Sequence, residues 1–282
     1  MRIQRFVEEL CILKHRASST KNEHRAADHI YQFMRSLGLV VFVDEFKSQK
    51  RYIWELATIT FLFFVQAALY FISPTISIVI GIIGLSLFWG HFTTRFKPLA
   101  PLFRFSKSRN IVGRFQNSDA PFKIIFTAHY DTARSGPLWN PKNVSKFRFN
   151  FLLGFYVILL LQILTVLSLV NVTSLLLNIL VILLGLHILG QIIILLYSGI
   201  TGKPVNGASD NASGVAVMLD LAARLKKLSF PEIEFWFIAT GSEEVGSIGM
   251  AKFLKTYADE IEKENRYFIN FDNVGSGNLH YY

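Results

Sequence analysis

The apolar positions of this chain fall into two kinds of run. Four are long and almost unbroken: Ile53–Ile72, Ile76–Phe92, Phe151–Val170 and Leu175–Tyr197. They hold 17 to 23 residues, and Glu55 near the edge of the first is their only charge. A membrane-spanning helix needs about 20 such residues. The joints between them, 73–75 (SPT) and 171–174 (NVTS), are too short to hold a domain. Each pair therefore reads as a hairpin that crosses a bilayer and returns. Gln162, His187 and Gln191 inside these runs are expected to hydrogen-bond between neighbouring helices.

The remaining runs are short and periodic. Residues 19–38 begin with the cap-type Ser19 and Thr20, carry Ala26, Ile30, Phe33, Met34 and Leu37 at helical spacing, and stop at Gly38. Segments 212–228 and 248–265 also read as helices. LVVFVDEF (39–46), NIVGRF (110–115), KIIFTAHY (123–130), IEFWFIATG (233–241) and RYFINFDNV (266–274) read as strands. Several are apolar on both faces, as strands covered on both sides must be. The fold class expected is α/β, a mixed sheet between helices, interrupted by two transmembrane helical hairpins. The expected division is 1–52 (helices and first strand), 53–92 (first hairpin), 93–148 (further strands), 149–198 (second hairpin) and 199–282 (the remainder of the α/β domain).

Composition agrees with such a mixture. The chain is 51% hydrophobic and 17% charged, with mean hydropathy +0.37. The net charge of +9 could signal nucleic acid, but the cations crowd beside the apolar runs. Arg95, Lys97, Arg104, Lys107, Arg109 and Arg114 occupy 93–114 without one acid, and the hairpin tips carry no charge. A bilayer partner, not nucleic acid, is the reading that follows. By the positive-inside rule the chain is an integral membrane protein with four spans and a cytoplasmic soluble domain. A single cysteine, Cys11, excludes an intrachain disulfide.

Polar chemistry collects where the short strands end. KIIFTA runs into His129 and Asp131, IEFWFIATGS into Glu243 and Glu244, and RYFINF into Asp272; Asp210 precedes a helix. In open α/β sheets ligands bind beyond the carboxyl ends of the strands. Carboxylates that converge in a dry site need a cation between them. One imidazole with several carboxylates, and no thiolate, suits zinc or a related divalent ion.

Together HYD (129–131), SDNASG (209–214), SEE followed by G-S-x-G (242–249) and FDNVG (271–275) resemble the signature of the co-catalytic zinc exopeptidases. That family includes bacterial leucyl aminopeptidase, glutamate carboxypeptidase, glutaminyl cyclase and the non-catalytic transferrin receptor. The resemblance covers 17–46, 109–135 and 203–282. It implies a zinc-dependent metallopeptidase, an aminopeptidase acting on peptides. It implies metal ligands His129, Asp210, Glu244 and Asp272, with Asp210 bridging two zinc ions. Glu243 would be the general base, and Asp131 would hold the second ring nitrogen of His129. Two other readings stay open: a membrane binding protein that reuses the fold, and a glutaminyl cyclase-like acyltransferase. The presence of Glu243 weighs against the former.

The chain departs from the pattern in two places. A spanning hairpin separates Asp131 from Asp210, which is expected to bring the site close to a bilayer and to membrane-associated peptides. In the family a last histidine ligand lies well downstream of the FDNVG aspartate. Here only His280 follows, in NLHYY, which reads as the start of a strand. The simplest expectation is a C-terminally incomplete chain that lacks this ligand; oligomeric state is not legible.

Overall fold

A computed structural model describes residues 3–93, 96–117, 119–137, 141–261, 264–278 and 280. The chain forms two compact units. One comprises 1–51, 104–134 and 204–282; the other comprises 52–103 and 135–203.

The first unit is built on five strands: β1 (Val40–Ser48), β2 (Ser106–Arg114), β3 (Phe122–His129), β4 (Ile233–Thr240) and β5 (Arg266–Asn270). Their order across the sheet is β1-β2-β4-β3-β5. β1 and β2 pair antiparallel, as do β2 and β4, whereas β3 runs parallel to both β4 and β5. The sheet is mixed, as its sequence pattern predicts. Three parallel strands thus end at one edge, with His129 opposite Thr240.

The two-residue period of the strands divides their side chains between two cores. Ile111, Phe126, Ala128, Phe235, Phe237 and Ala239 join a cluster with Phe6 and Leu10, with Ala26, Ile30 and Met34, and with Val215, Met218 and Leu219. These partners come from the helices Ile3–Cys11, Lys21–Ser36 and Gly214–Leu225. On the opposite face Val112, Ile125, Trp236 and Ile238 meet Phe253 and Ile261. Each fully buried side chain of this size contributes about 1.5–3 kcal/mol. Thr20 caps the helix Lys21–Ser36 by accepting from the Glu23 N–H, and Gly38, at φ +82°, ends it.

One expected helix is broken. Residues 248–265 give Ile248–Thr256 and then the short Ala258–Ile261, with Tyr257 between them. The Tyr257 hydroxyl donates to Asp44 Oδ1 at 3.2 Å, a tertiary anchor at the break. Of NLHYY, Leu279 and residues 281–282 lie outside the described residues, and His280 is exposed.

The second unit holds four apolar helices: Ile53–Leu69, Pro74–Thr93, Phe147–Leu169 and Leu175–Thr201. The last three are long and apolar enough to cross a membrane; Ile53–Leu69, with 17 residues, is shorter than expected. The third and fourth extend beyond their apolar runs, because helical hydrogen bonding continues into 147–150 and 198–201. Ile59, Phe63, Leu161, Leu164, Val181 and Ile188 form the core of this unit. Its outer faces expose Ile82, Ile83, Ile163, Leu183, Leu186 and Ile193.

Polar groups inside this unit pair with one another. Gln66 and Gln162 exchange both amide hydrogen bonds, at 3.0 and 2.8 Å, across neighbouring helices. Gln191 instead reaches His187 within its own helix, at 2.9 Å, because the two lie four residues apart on one face.

Candidate metal centre

The site lies within the first unit, at the carboxyl edge of the parallel strands. β3 delivers His129, which is buried. Its Nε2 lies 3.0 Å from Asp210 Oδ1 and 3.7 Å from Asp272 Oδ1. One ligating atom from each of His129, Asp210 and Glu244 lies within 4.8 Å of the others. Four chain segments, distant in sequence, thus meet at one imidazole nitrogen.

Each carboxylate is fixed by its local backbone. Asp210 sits in the irregular turn 208–213, with non-helical dihedrals at Asp210 and Asn211 and a cis Asp210–Asn211 peptide. Asn211 holds this turn to the segment 271–273, which follows β5 and carries Asp272. Its Nδ2 donates to Phe271 O at 2.8 Å, and its Oδ1 accepts from Gly214 N and Asn273 N. Glu243 and Glu244 follow Ser242, which adopts φ +56° and turns the chain out of β4. Ser247 Oγ donates to Glu243 Oε1 at 3.0 Å. Gly249 packs close by: a Cβ there would stand 2.2 Å from Gly241 O and 2.5 Å from Asn110 Oδ1. Only glycine lets the helix Ile248–Thr256 start this near β4.

The resemblance implies that Asp131 holds the second ring nitrogen of His129, and the residue does lie against that nitrogen. His129 Nδ1 bonds the main-chain carbonyl of Asp131 at 3.2 Å, while the nearer carboxylate oxygen is 3.6 Å away. The carboxylate oxygens accept instead from the backbone N–H groups of Glu243 (2.8 Å) and Glu244 (3.1 Å). Asp131 therefore ties the histidine segment to the two glutamates. A bidentate clasp of this kind is geometrically specific.

Protonation reflects the crowding. Burial lowers the His129 pKa, but the nearby carboxylates of Asp131, Asp210 and Asp272 outweigh it, and the imidazole is raised well above its usual range. The His129 contact lowers Asp210. Burial raises Glu243, with the neighbouring Asp131 adding to it. Burial, then Asp131 and Asp210, push Glu244 to about 8. Glu244 Oε1 is buried with no hydrogen-bond partner. An orphaned carboxylate oxygen beside an imidazole nitrogen and a second carboxylate is a donor set that fits a divalent zinc ion. His280 is not part of that set.

Two buried residues, Arg16 and Glu23, lie behind the site. Arg16 is fully buried, and no pattern distinguishes it from a solvated loop arginine. Glu23, also fully buried, accepts from Ser19 N at 2.6 Å, Ser108 Oγ at 2.7 Å and Ser242 Oγ at 3.4 Å. Burial, then Asp131, raise its pKa to about 8. Its place three residues after Thr20 is a capping-box signal.

Residues 194–282 match Peptidase family M28. A stretch of 81 residues is 40% identical to the alkaline phosphatase isozyme conversion protein of Escherichia coli, covering 29% of this chain and 23% of that protein. Another, of 73 residues, is 36% identical to an aminopeptidase of Pseudomonas aeruginosa, covering 26% of this chain and 13% of that protein. The matched stretches therefore span less than a quarter of these relatives. A Zn-dependent exopeptidase from Parabacteroides distasonis shares the fold, with a TM-score of 0.50 at 14% identity, over 98% of this chain and 62% of that one. The matched stretch contains Asp210, Glu243, Glu244 and Asp272, and the sheet brings His129 to them.

Proposed function

We propose that the chain is a zinc-dependent metallopeptidase of the aminopeptidase type, anchored in a bilayer. The observation that carries this reading is the convergence of His129 Nε2 with the Asp210 and Glu244 carboxylates, beside a second glutamate raised by burial. His129, Asp210, Glu244 and Asp272 would hold the metal, with Asp210 as the bridge if two ions bind. Zinc at such a site supplies Lewis-acid polarisation of a peptide carbonyl and lowers the pKa of water toward ~7.

The protein's own residues do the rest. Glu243, with its raised pKa and its carboxylate steadied by Ser247, takes a proton from the attacking water and returns it to the leaving amine. Asp131 fixes the backbone of Glu243 and Glu244, so base and ligand keep one spacing. The products are a free amino acid and a shortened peptide.

The peptidase domain in this reading is assembled from 1–52, 93–148 and 199–282. The hairpins 53–92 and 149–198 cross the membrane as four spans. The cations flanking these helices favour a cytoplasmic peptidase domain. The test uses the full chain in detergent. Zinc measured by elemental analysis, with release of a chromogenic amine from aminoacyl anilides that a chelator stops and zinc restores, supports the proposal. Zinc-free protein without turnover after zinc loading overturns it.

A further inference from the structure

Arg16 lies in the turn after the helix Ile3–Cys11 and is fully buried. Its guanidinium makes its hydrogen bonds to main-chain carbonyls. Nε donates to Tyr130 O at 2.7 Å, Nη1 to Asn206 O at 2.9 Å, and Nη2 to Gly207 O at 2.8 Å. A longer contact of 3.5 Å joins Nη1 to Leu10 O at the end of the helix.

The carbonyls it gathers belong to the two loops that carry metal ligands. Tyr130 lies between His129 and Asp131, and Asn206–Gly207 leads into Asp210. The main chain of Arg16 adds to the clasp. Its N–H donates to Thr132 Oγ1 at 3.0 Å, and its carbonyl accepts from Thr132 N at 3.3 Å. Val205 N donates to Ala133 O at 3.0 Å and closes the two loops on each other. Gly207 adopts φ +70°, and a Cβ there would stand 2.3 Å from Thr132 Cγ2 and 3.0 Å from Arg16 Nη2. The loop can approach the guanidinium this closely only as glycine.

We propose that Arg16 is a positioning residue for the metal centre: by bonding the carbonyls of Tyr130, Asn206 and Gly207 it sets the separation of His129 and Asp210. The proposal rests on the zinc reading above. A planar fork with five donors can serve three carbonyls in different directions. The three donors of a lysine ammonium, clustered on one atom, cannot reproduce that geometry. Losing a residue that orients ligands from behind typically weakens metal binding by about 10–100-fold.

The experiment is competition for zinc between a chromophoric chelator and the metal-free full chain in detergent. Arg16→Ala is expected to bind zinc ~10–100-fold more weakly, and Arg16→Lys to remain weaker than wild type. Added guanidinium ion should restore part of the affinity of Arg16→Ala, which general destabilisation would not allow. In cobalt-loaded protein the d–d absorption of Arg16→Lys should shift from that of wild type. Where Arg16→Ala fails to fold, Arg16→Lys with native circular dichroism decides. Wild-type zinc affinity and an unshifted cobalt spectrum in either folded variant overturn the role of Arg16. A wild-type chain that binds no zinc would instead sink the zinc reading itself.

Discussion

In the helical unit Gln66 and Gln162 face each other and exchange both amide hydrogen bonds, and Ser77 Oγ donates to the Gln66 carbonyl at 2.8 Å. In the α/β unit Glu244 keeps a buried oxygen with no hydrogen bond, next to Asp210, Asp131 and His129. The helical unit pairs its buried glutamines from within, while His91 keeps two ring nitrogens without a hydrogen bond. There Tyr70 OH donates to Asn178, and even the buried Glu55 has His91 Nδ1 at 3.4 Å. At its metal site the α/β unit gathers the carboxylates of Asp210, Glu244 and Asp272 around the single imidazole of His129. Polar burial that closes on itself holds helices together; polar burial left open marks a place for a ligand. His91, whose ring nitrogens make no hydrogen bond, is the least settled group of the helical unit.

The comparison breaks most easily at Glu243. Glu243→Gln should lower peptide turnover by ~10²–10⁴-fold while zinc affinity stays at the wild-type level. Undiminished turnover would remove the general base from the account. Asp131→Asn comes next. Its backbone clasp on Glu243 and Glu244 should weaken, with a loss of about 10–100-fold in zinc affinity read by chelator competition.

A third test uses pH on metal-free protein. The Glu244 carboxyl is raised from 4.5 to about 8, so the folded state holds a proton that the unfolded state has released. Stability from this group is fully present below pH 4.5, falls as pH rises, and is lost by about pH 8. Glu23, raised into the same range, adds to that slope. Chemical denaturation across pH 4.5 to 8 should therefore show falling stability, and Glu244→Gln should flatten the slope in part. A slope unchanged in Glu244→Gln would contradict the burial of its charge.

The smallest effect belongs to the helical unit. Gln66→Leu or Gln162→Leu alone should cost about 0.6–2 kcal/mol, and the double replacement less than the sum. Unfolding titrations in detergent give this cycle, and peptide turnover should not change.

Strands were legible because their apolar runs are short and bounded, and the site residues because each stands at a strand or helix junction. The break at Tyr257 was not, since the helical pattern of 248–265 continues through it and the anchor to Asp44 is tertiary. Arg16 was hidden for a related reason. A guanidinium that serves backbone carbonyls leaves no trace in residue spacing, and those carbonyls lie more than a hundred positions away. Asp131 was found as part of the site, yet its main partners, the N–H groups of Glu243 and Glu244, come from another strand end. The 17 residues of Ile53–Leu69 fell short of the apolar run because the helix stops before Tyr70.

The central claim is that the α/β unit leaves its carboxylates open for a metal. Equilibrium dialysis of the full chain against zinc, followed by elemental analysis, addresses it most directly. Wild-type protein is expected to retain at least one zinc per chain, and a folded Asp210→Ala/Glu244→Ala variant to retain none. Equal zinc in both, or none in the wild type, would contradict it.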